Sequence, residues 1–325
     1  MRVLKLLRSD TSTGPDGIPV KFVKMVADSI AHPLTANINN CIRKYYFPKA
    51  WKNARISPFP KVDRQKSEEH FRPISILPTL SKVFEKLMAL QMTSFCESES
   101  VLRDTISSFR KGHSTNTVLM GMRDDLLRPM KKGEVTLMVL ADFFKALDTV
   151  NYQVLISKLS TLGFSKPFLR WLNSYLSDRS HFVQIDDRTS EAVSVRFGVP
   201  QGSILGPMLF NLHVSDLQDH LPSSIGSFQY ADDTTLYSSC PAPELQTCAQ
   251  ELKPTLNSVS SWSNDSHLAL NSKKTKTMLL PTSQMSHVHS LDKNRPAITI
   301  SDSTLKLEYV NVSKLLGVHF HKHLN

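Results

Sequence analysis

The sequence predicts an α+β fold, a small antiparallel sheet backed by helices, and three observations carry that reading. Residues 228–237 place strand formers on both sides of Asp232-Asp233, the pattern of a hairpin with two carboxylates at its bend. Residues 135–141 form an apolar run of strand length that ends at Asp142. Elsewhere apolar residues recur at helical spacing, which provides helices to cover the sheet.

Taken in order, residues 20–41 and 81–95 read as helices, with an extended stretch at 56–61 between them. Residues 117–129 form a helix leading into the strand that ends at Asp142, and 152–162 and 167–176 are two further helices. Asp148 is expected to cap the helix after it, because Asp ahead of Thr149-Val150-Asn151 fits a helix start. Residues 182–185 and 192–195 read as a hairpin about Asp186-Asp187-Arg188. The loop Gly198-Val199-Pro200-Gln201-Gly202-Ser203 then precedes a helix over 206–217.

The chemistry concentrates on the carboxylates. Adjacent Asp232 and Asp233 repel and raise one another's pKa unless a cation neutralises them, so the bend suggests a divalent-metal platform. A solvated turn fits the same residues, since Asp is common in turns. Asp142, at the end of a buried strand, can face such a hairpin, and three carboxylates can hold two hard cations with open positions for phosphoryl transfer. In the 198–203 loop the two glycines allow close backbone approach to a ligand, although an ordinary turn has the same composition.

Composition narrows the partner. The chain of 325 residues is long enough for a large core or several subdomains. A formal charge of +10 and a pI near 9.4 favour a polyanion. Cys41, Cys96, Cys240 and Cys248 form no C-x-x-C pair and follow no secretory leader. They read as reduced thiols of an intracellular protein, nuclear or cytoplasmic and not secreted. No apolar run is long enough to cross a bilayer. His287, His289, His319, His321 and His323 lack Cys or Asp ligands at finger spacing and read as surface histidines.

A series of motifs then makes a family visible. Thr13-Gly14-Pro15-Asp16-Gly17-Ile18-Pro19, Phe47-Pro48-Lys49-Ala50-Trp51-Lys52, Phe71-Arg72-Pro73-Ile74-Ser75-Ile76-Leu77-Pro78 and Phe109-Arg110-Lys111-Gly112-His113-Ser114-Thr115 occupy the first part of the chain. Ala141-Asp142-Phe143-Phe144-Lys145-Ala146-Leu147-Asp148-Thr149-Val150, the 198–203 loop, Tyr230-Ala231-Asp232-Asp233, Leu270-Asn271-Ser272-Lys273-Lys274-Thr275-Lys276 and Lys314-Leu315-Leu316-Gly317-Val318 follow. In number, order and spacing they resemble the reverse transcriptase domain of non-LTR retrotransposons of the jockey or chicken-repeat kind, over nearly the whole chain.

The resemblance implies a right-hand polymerase fold: an N-terminal extension and fingers over 1–116, a palm with finger insertions over 117–300, and a primer-grip hairpin over 301–325. It implies RNA-directed DNA synthesis on an RNA template, from a DNA primer and dNTPs, with two Mg²⁺ ions, Mn²⁺ being the alternative. Asp142, Asp232 and Asp233 would be catalytic and would hold the metals with the backbone carbonyl of Phe143. Lys61, Arg72, Phe143, Leu147, Gln201, Gly202 and Lys274 would contact the nucleotide, Lys274 near the leaving pyrophosphate, and Leu316 and Gly317 would grip the primer.

Some positions depart from the family's pattern. Leu147 stands where an aromatic barrier to a ribose 2′-hydroxyl is usual, Phe143 and Phe144 replace smaller or polar residues, and Ser108 replaces a glycine. Only seven residues follow Val318 and residue 1 already lies within the leading region, so the resemblance leads us to expect a truncated thumb and no endonuclease upstream within this sequence. A weak or inactive remnant that only binds nucleic acid is therefore the alternative function. An RNA-dependent RNA polymerase or intron maturase fits the motif wording less well.

Overall fold

The computed structural model describes residues 2–300 and 306–323; residues 301–305 and 324–325 of the expected primer-grip segment lie outside the described residues. The fold is mixed α+β. Its strands in chain order are β1 (Asn53–Pro60), β2 (Phe71–Ile76), β3 (Glu134–Ala141), β4 (Arg179–Ile185), β5 (Arg188–Thr189) and β6 (Val193–Val195). They continue with β7 (Gly226–Tyr230), β8 (Asp233–Pro241), β9 (Lys276–Leu280), β10 (Glu308–Tyr309), β11 (Val312–Leu315) and β12 (Val318–His321). The chain divides into two compact units, one of Met1–Val101 with Leu147–His213, the other of Leu102–Ala146 with Val214–Asn325.

In the first unit the sheet runs β2-β1-β4-β5, with β6 also on β4. β1 and β2 pair antiparallel, Phe59 opposite Arg72, whereas β1 and β4 are parallel, Ala54 opposite His181. The β4–β5–β6 hairpin turns at Asp186, as the alternation predicts, but its parallel partner β1 lies far away in sequence and left no local signal. The single helix expected over 20–41 is two, Val20–Met25 and Ala27–Arg43, because the backbone at Val26 leaves helical geometry. Asp28 in the first turn of the second helix complements its dipole. The core is aromatic: Phe47 stacks on Phe84 at 5.4 Å and meets Tyr175 edge-on at 5.0 Å, each such pair contributing about 0.5–1.5 kcal/mol beyond burial.

In the second unit β3 is central in the order β10-β9-β3-β8-β7 and antiparallel to both β8 and β9. Helices Thr115–Lys131 and Leu245–Asp265 both pack against it. All of β3 except Glu134 and Leu140 is buried, so its sequence reads as a continuous apolar run rather than an alternation. Met122 and Leu126 of the first helix meet Met138, Met278, Leu280 and Leu315 in one cluster. Ser114 starts that helix through a capping box with Thr117. No helix among the described residues is long and apolar enough to cross a membrane.

Candidate active site

The acidic hairpin belongs to the second unit. Tyr230 pairs with Asp233, so the bend consists of Ala231 and Asp232 while Asp233 already opens β8. This corrects the expected Asp-Asp bend: strand propensity at Thr234 and Thr235 draws Asp233 into the ladder. Ala231 has φ 54°, a left-handed conformation that costs a non-glycine residue about 1–2 kcal/mol. The edge of β7 is clamped in turn, since the Gln229 N–H donates to the Thr105 carbonyl at 2.9 Å and the Ser107 N–H to the Gln229 carbonyl at 3.1 Å. Packing around the hairpin thus holds a turn that its sequence does not favour.

The neighbouring strand delivers Asp142 to this bend. Ala141, the last residue of β3, lies opposite Thr234, the residue after Asp233, so Asp142 leaves the strand beside the hairpin. Residues directly opposed in an antiparallel pair hold their Cβ atoms about 5 Å apart. The carboxylates sense one another accordingly: burial, then Asp232 and Asp142, push Asp233 up to about 6. Asp233 is exposed as a whole, yet enough protein flanks its carboxyl for desolvation to lead. Burial also raises Asp142, with Lys274 opposing and Asp232 adding to the shift.

Asp142 is braced by the Asn-x-x-Lys-Thr turn. The Asn271 N–H donates to the Asp142 carbonyl at 2.7 Å, and the Asp142 N–H donates to Thr275 Oγ1 at 3.3 Å. The Phe144 N–H reaches the Ala269 carbonyl at 2.8 Å, which leaves the Phe143 carbonyl outside this pairing, while the Phe143 ring packs against Trp262. Lys274 is exposed on the same turn. Asn271 and Thr275 are bracing residues that the sequence did not single out. Both stood in a quoted motif, but only its lysine suggested chemistry.

The first unit holds the other cluster. Gly198 (φ 84°) leaves no room for a Cβ, which would meet the Asp148 carbonyl at 2.6 Å, and at Gly202 (φ 109°) one would meet the Ser75 carbonyl at 2.7 Å. The Val199 N–H donates to the Leu147 carbonyl at 2.8 Å, and the Ser75 N–H to the Gln201 carbonyl at 2.6 Å. Leu147, in the short helix Ala146–Thr149, is thus hydrogen-bonded to the loop that carries Gln201 and Gly202. Asp148 is not a helix cap. Asn151 caps Tyr152–Thr161 by accepting from the N–H groups of Gln153 and Val154, while Asp148 accepts from Gln201 Nε2 at 2.7 Å. The local start signal was real but belonged to the residue three positions on.

Lys61 and Arg72 are exposed on the β1–β2 hairpin, where Lys61 Nζ donates to the Glu69 carbonyl at 3.1 Å. Leu316 and Gly317, both at positive φ, form the two-residue turn between β11 and β12, the backbone twist that suits tight hairpins. Among the described residues no three His, Cys, Asp or Glu side chains form a ready-made cage for one ion. The histidines include a tilted pair, His321 and His323, with ring centroids 5.3 Å apart.

Known proteins share this sequence pattern. The reverse transcriptase (RNA-dependent DNA polymerase) family matches residues 60–320, and the chain belongs to that family. It is 32% identical over 283 residues to the probable RNA-directed DNA polymerase from transposon BS of Drosophila melanogaster, covering 85% of this chain and 31% of that protein. The RNA-directed DNA polymerase from mobile element jockey of the same organism is 26% identical over 268 residues, covering 80% of this chain and 29% of its own length. The probable polymerase from transposon X-element is 28% identical over 291 residues, covering 88% and 30%. The chain therefore spans about a third of the length of these curated relatives.

Proposed function

We propose that this chain is the RNA-directed DNA polymerase module of a non-LTR retrotransposon protein, extending a DNA primer on an RNA template from dNTPs. The observation that carries the proposal is the pairing of Ala141 with Thr234, which brings Asp142 from the end of β3 to the Asp232-Asp233 hairpin, where Asp232 disfavours the charge of both Asp142 and Asp233. Such a set fits hard divalent cations: its donors are carboxylate oxygens, and their repulsion is what a cation relieves. Asp142, Asp232, Asp233 and the Phe143 carbonyl would hold the ions. Two Mg²⁺, or Mn²⁺, would supply electrostatic stabilisation of the attacking and leaving oxygens of the transfer.

The remaining groups position and neutralise. Arg72 and Lys61 bring fixed positive charge for a triphosphate. Lys274, electrostatically coupled to Asp142, is suited to stabilise or protonate the leaving pyrophosphate. Gln201 and Gly202 offer an amide and close backbone to the incoming nucleotide, Leu147 borders its sugar, and the Leu316-Gly317 turn grips the primer. We assign the N-terminal extension and fingers to residues 1–116, the palm with finger insertions to 117–300 and the primer-grip hairpin to 301–325. The grouping of Leu147–His213 with Met1–Val101 supports a finger insertion within the palm. The four free cysteines support an intracellular setting, nuclear or cytoplasmic.

The test is single-nucleotide extension of a DNA primer on an RNA template with Mg²⁺. Extension by the complementary dNTP is expected. Tight hybrid binding with no incorporation would favour a nucleic-acid-binding remnant instead.

A further inference from the structure

The Asp148–Gln201 pair has a polarity, and that polarity has a consequence for recognition. An ionised carboxylate only accepts hydrogen bonds, so the group facing Asp148 must be the Gln201 amide nitrogen, as the 2.7 Å contact has it. The amide orientation is thereby fixed and Oε1 is left with no hydrogen bond to the described residues. Gln201 lines a cavity of about 190 Å³ together with Ile56, Ser75, His181 and Phe197. His181 also feels Asp148, whose charge opposes the lowering that burial imposes on the imidazole.

The backbone around the amide is fixed from both sides. The Gly198 N–H donates to the Val150 carbonyl at 2.9 Å, the Tyr152 hydroxyl donates to the Gly198 carbonyl at 3.0 Å, and Ser75 holds the Gln201 carbonyl. The torsions of the Gln201 side chain are the freedom that remains, and a charge-assisted hydrogen bond is the interaction suited to remove it.

We propose that Asp148 is a positioning residue that locks Gln201 with Oε1 presented as a hydrogen-bond acceptor, selecting a donor group, hydroxyl or amine, on a bound nucleotide. The assignment of a nucleotide rests on the polymerase reading above; the lock itself does not. An acceptor at this point favours partners that donate and penalises partners that present only lone pairs, because the unmatched group would be desolvated without a partner.

Two measurements on the full chain test this. The first follows the side-chain ¹⁵N amide of Gln201, assigned by its loss in Gln201→Ala, with no nucleotide present. Its protons exchange slowly in the wild type, approach solvent-like exchange in Asp148→Ala, and fall between in the near-isosteric Asp148→Asn. Exchange that is unchanged in Asp148→Asn overturns the lock and leaves the polymerase reading intact. The second measures single-nucleotide extension. Asp148→Asn raises KM for the dNTP about tenfold, the scale of one hydrogen bond, with kcat changed less than about twofold. Gln201→Ala does the same, and adding Asp148→Asn to it costs nothing more. Multiplicative losses in the double variant would mean that Asp148 acts independently and would overturn the proposal. A wild-type chain that retains the slow amide but extends no primer defeats the polymerase reading and, with it, the assignment of a nucleotide.

Discussion

The acidic hairpin and the glycine loop solve opposite problems. In the second unit, Ala231 occupies a left-handed conformation and Asp233 sits where burial, Asp232 and Asp142 all disfavour its charge. In the 198–203 loop of the first unit, the positive-φ positions are filled by Gly198 and Gly202, and Asp148 accepts a good hydrogen bond from Gln201. One region is held against its own preference by neighbouring strands, and the other relaxes into packing. Stored repulsion is the mark of a place where a cation is meant to arrive, while satisfied polar groups with close backbone mark a rigid platform.

The contrast can be broken most severely at the carboxylates. Asp232→Asn should lower primer extension a hundredfold or more, the scale of losing one group that stabilises transition-state charge, while hybrid binding changes little. Gly198→Ala should leave the carboxylate site intact and cost stability instead. Left-handed strain and a Cβ at 2.6 Å from backbone together imply about 3 kcal/mol and a thermal midpoint several degrees lower in calorimetry.

Asp233→Asn should do the reverse of Gly198→Ala and stabilise the metal-free protein. The Asp233 carboxyl lies near 6 in the folded chain against an ordinary 3.8, so between those values the folded state holds more protons than the unfolded one. Stability from this group is therefore full below pH 3.8, falls as pH rises, and is lost above about 6. The variant's thermal advantage should appear above pH 6, vanish below pH 4, and shrink when Mg²⁺ is added at neutral pH. Ala231→Gly is the smallest expected effect, a gain of up to about 1 kcal/mol from relieved strain, offset in part by the freedom of glycine in the unfolded chain.

These two regions were not equally legible in the sequence. The run ending at Asp142 and the strand formers around Asp232 marked the strand and the hairpin, because period and residue type are local signals. Whether the bend held two aspartates or Ala231 and Asp232 depended on a one-residue register that only the ladder fixes. Asp148 shows the harder case. Its partner Gln201 lies 53 residues away, and no local rule distinguishes a capping carboxylate from one that waits for a distant amide. The parallel pairing of β1 with β4 and the bracing of Asp142 by Asn271 and Thr275 were hidden for the same reason, being contacts between segments far apart in sequence.

The central claim is that Asp142, Asp232 and Asp233 form a hard-cation centre, and Mn²⁺ binding read by electron paramagnetic resonance tests it most directly. Titrating the chain with dNTP and primer–template present should remove the free-ion signal with a stoichiometry approaching about two per chain, the number a two-metal transfer requires. Asp232→Asn should weaken that uptake at least tenfold, as expected when one anionic oxygen ligand becomes a neutral amide. Superimposable titrations of the wild type and Asp232→Asn would contradict the account, because the hairpin would then be an acidic turn that holds no ion.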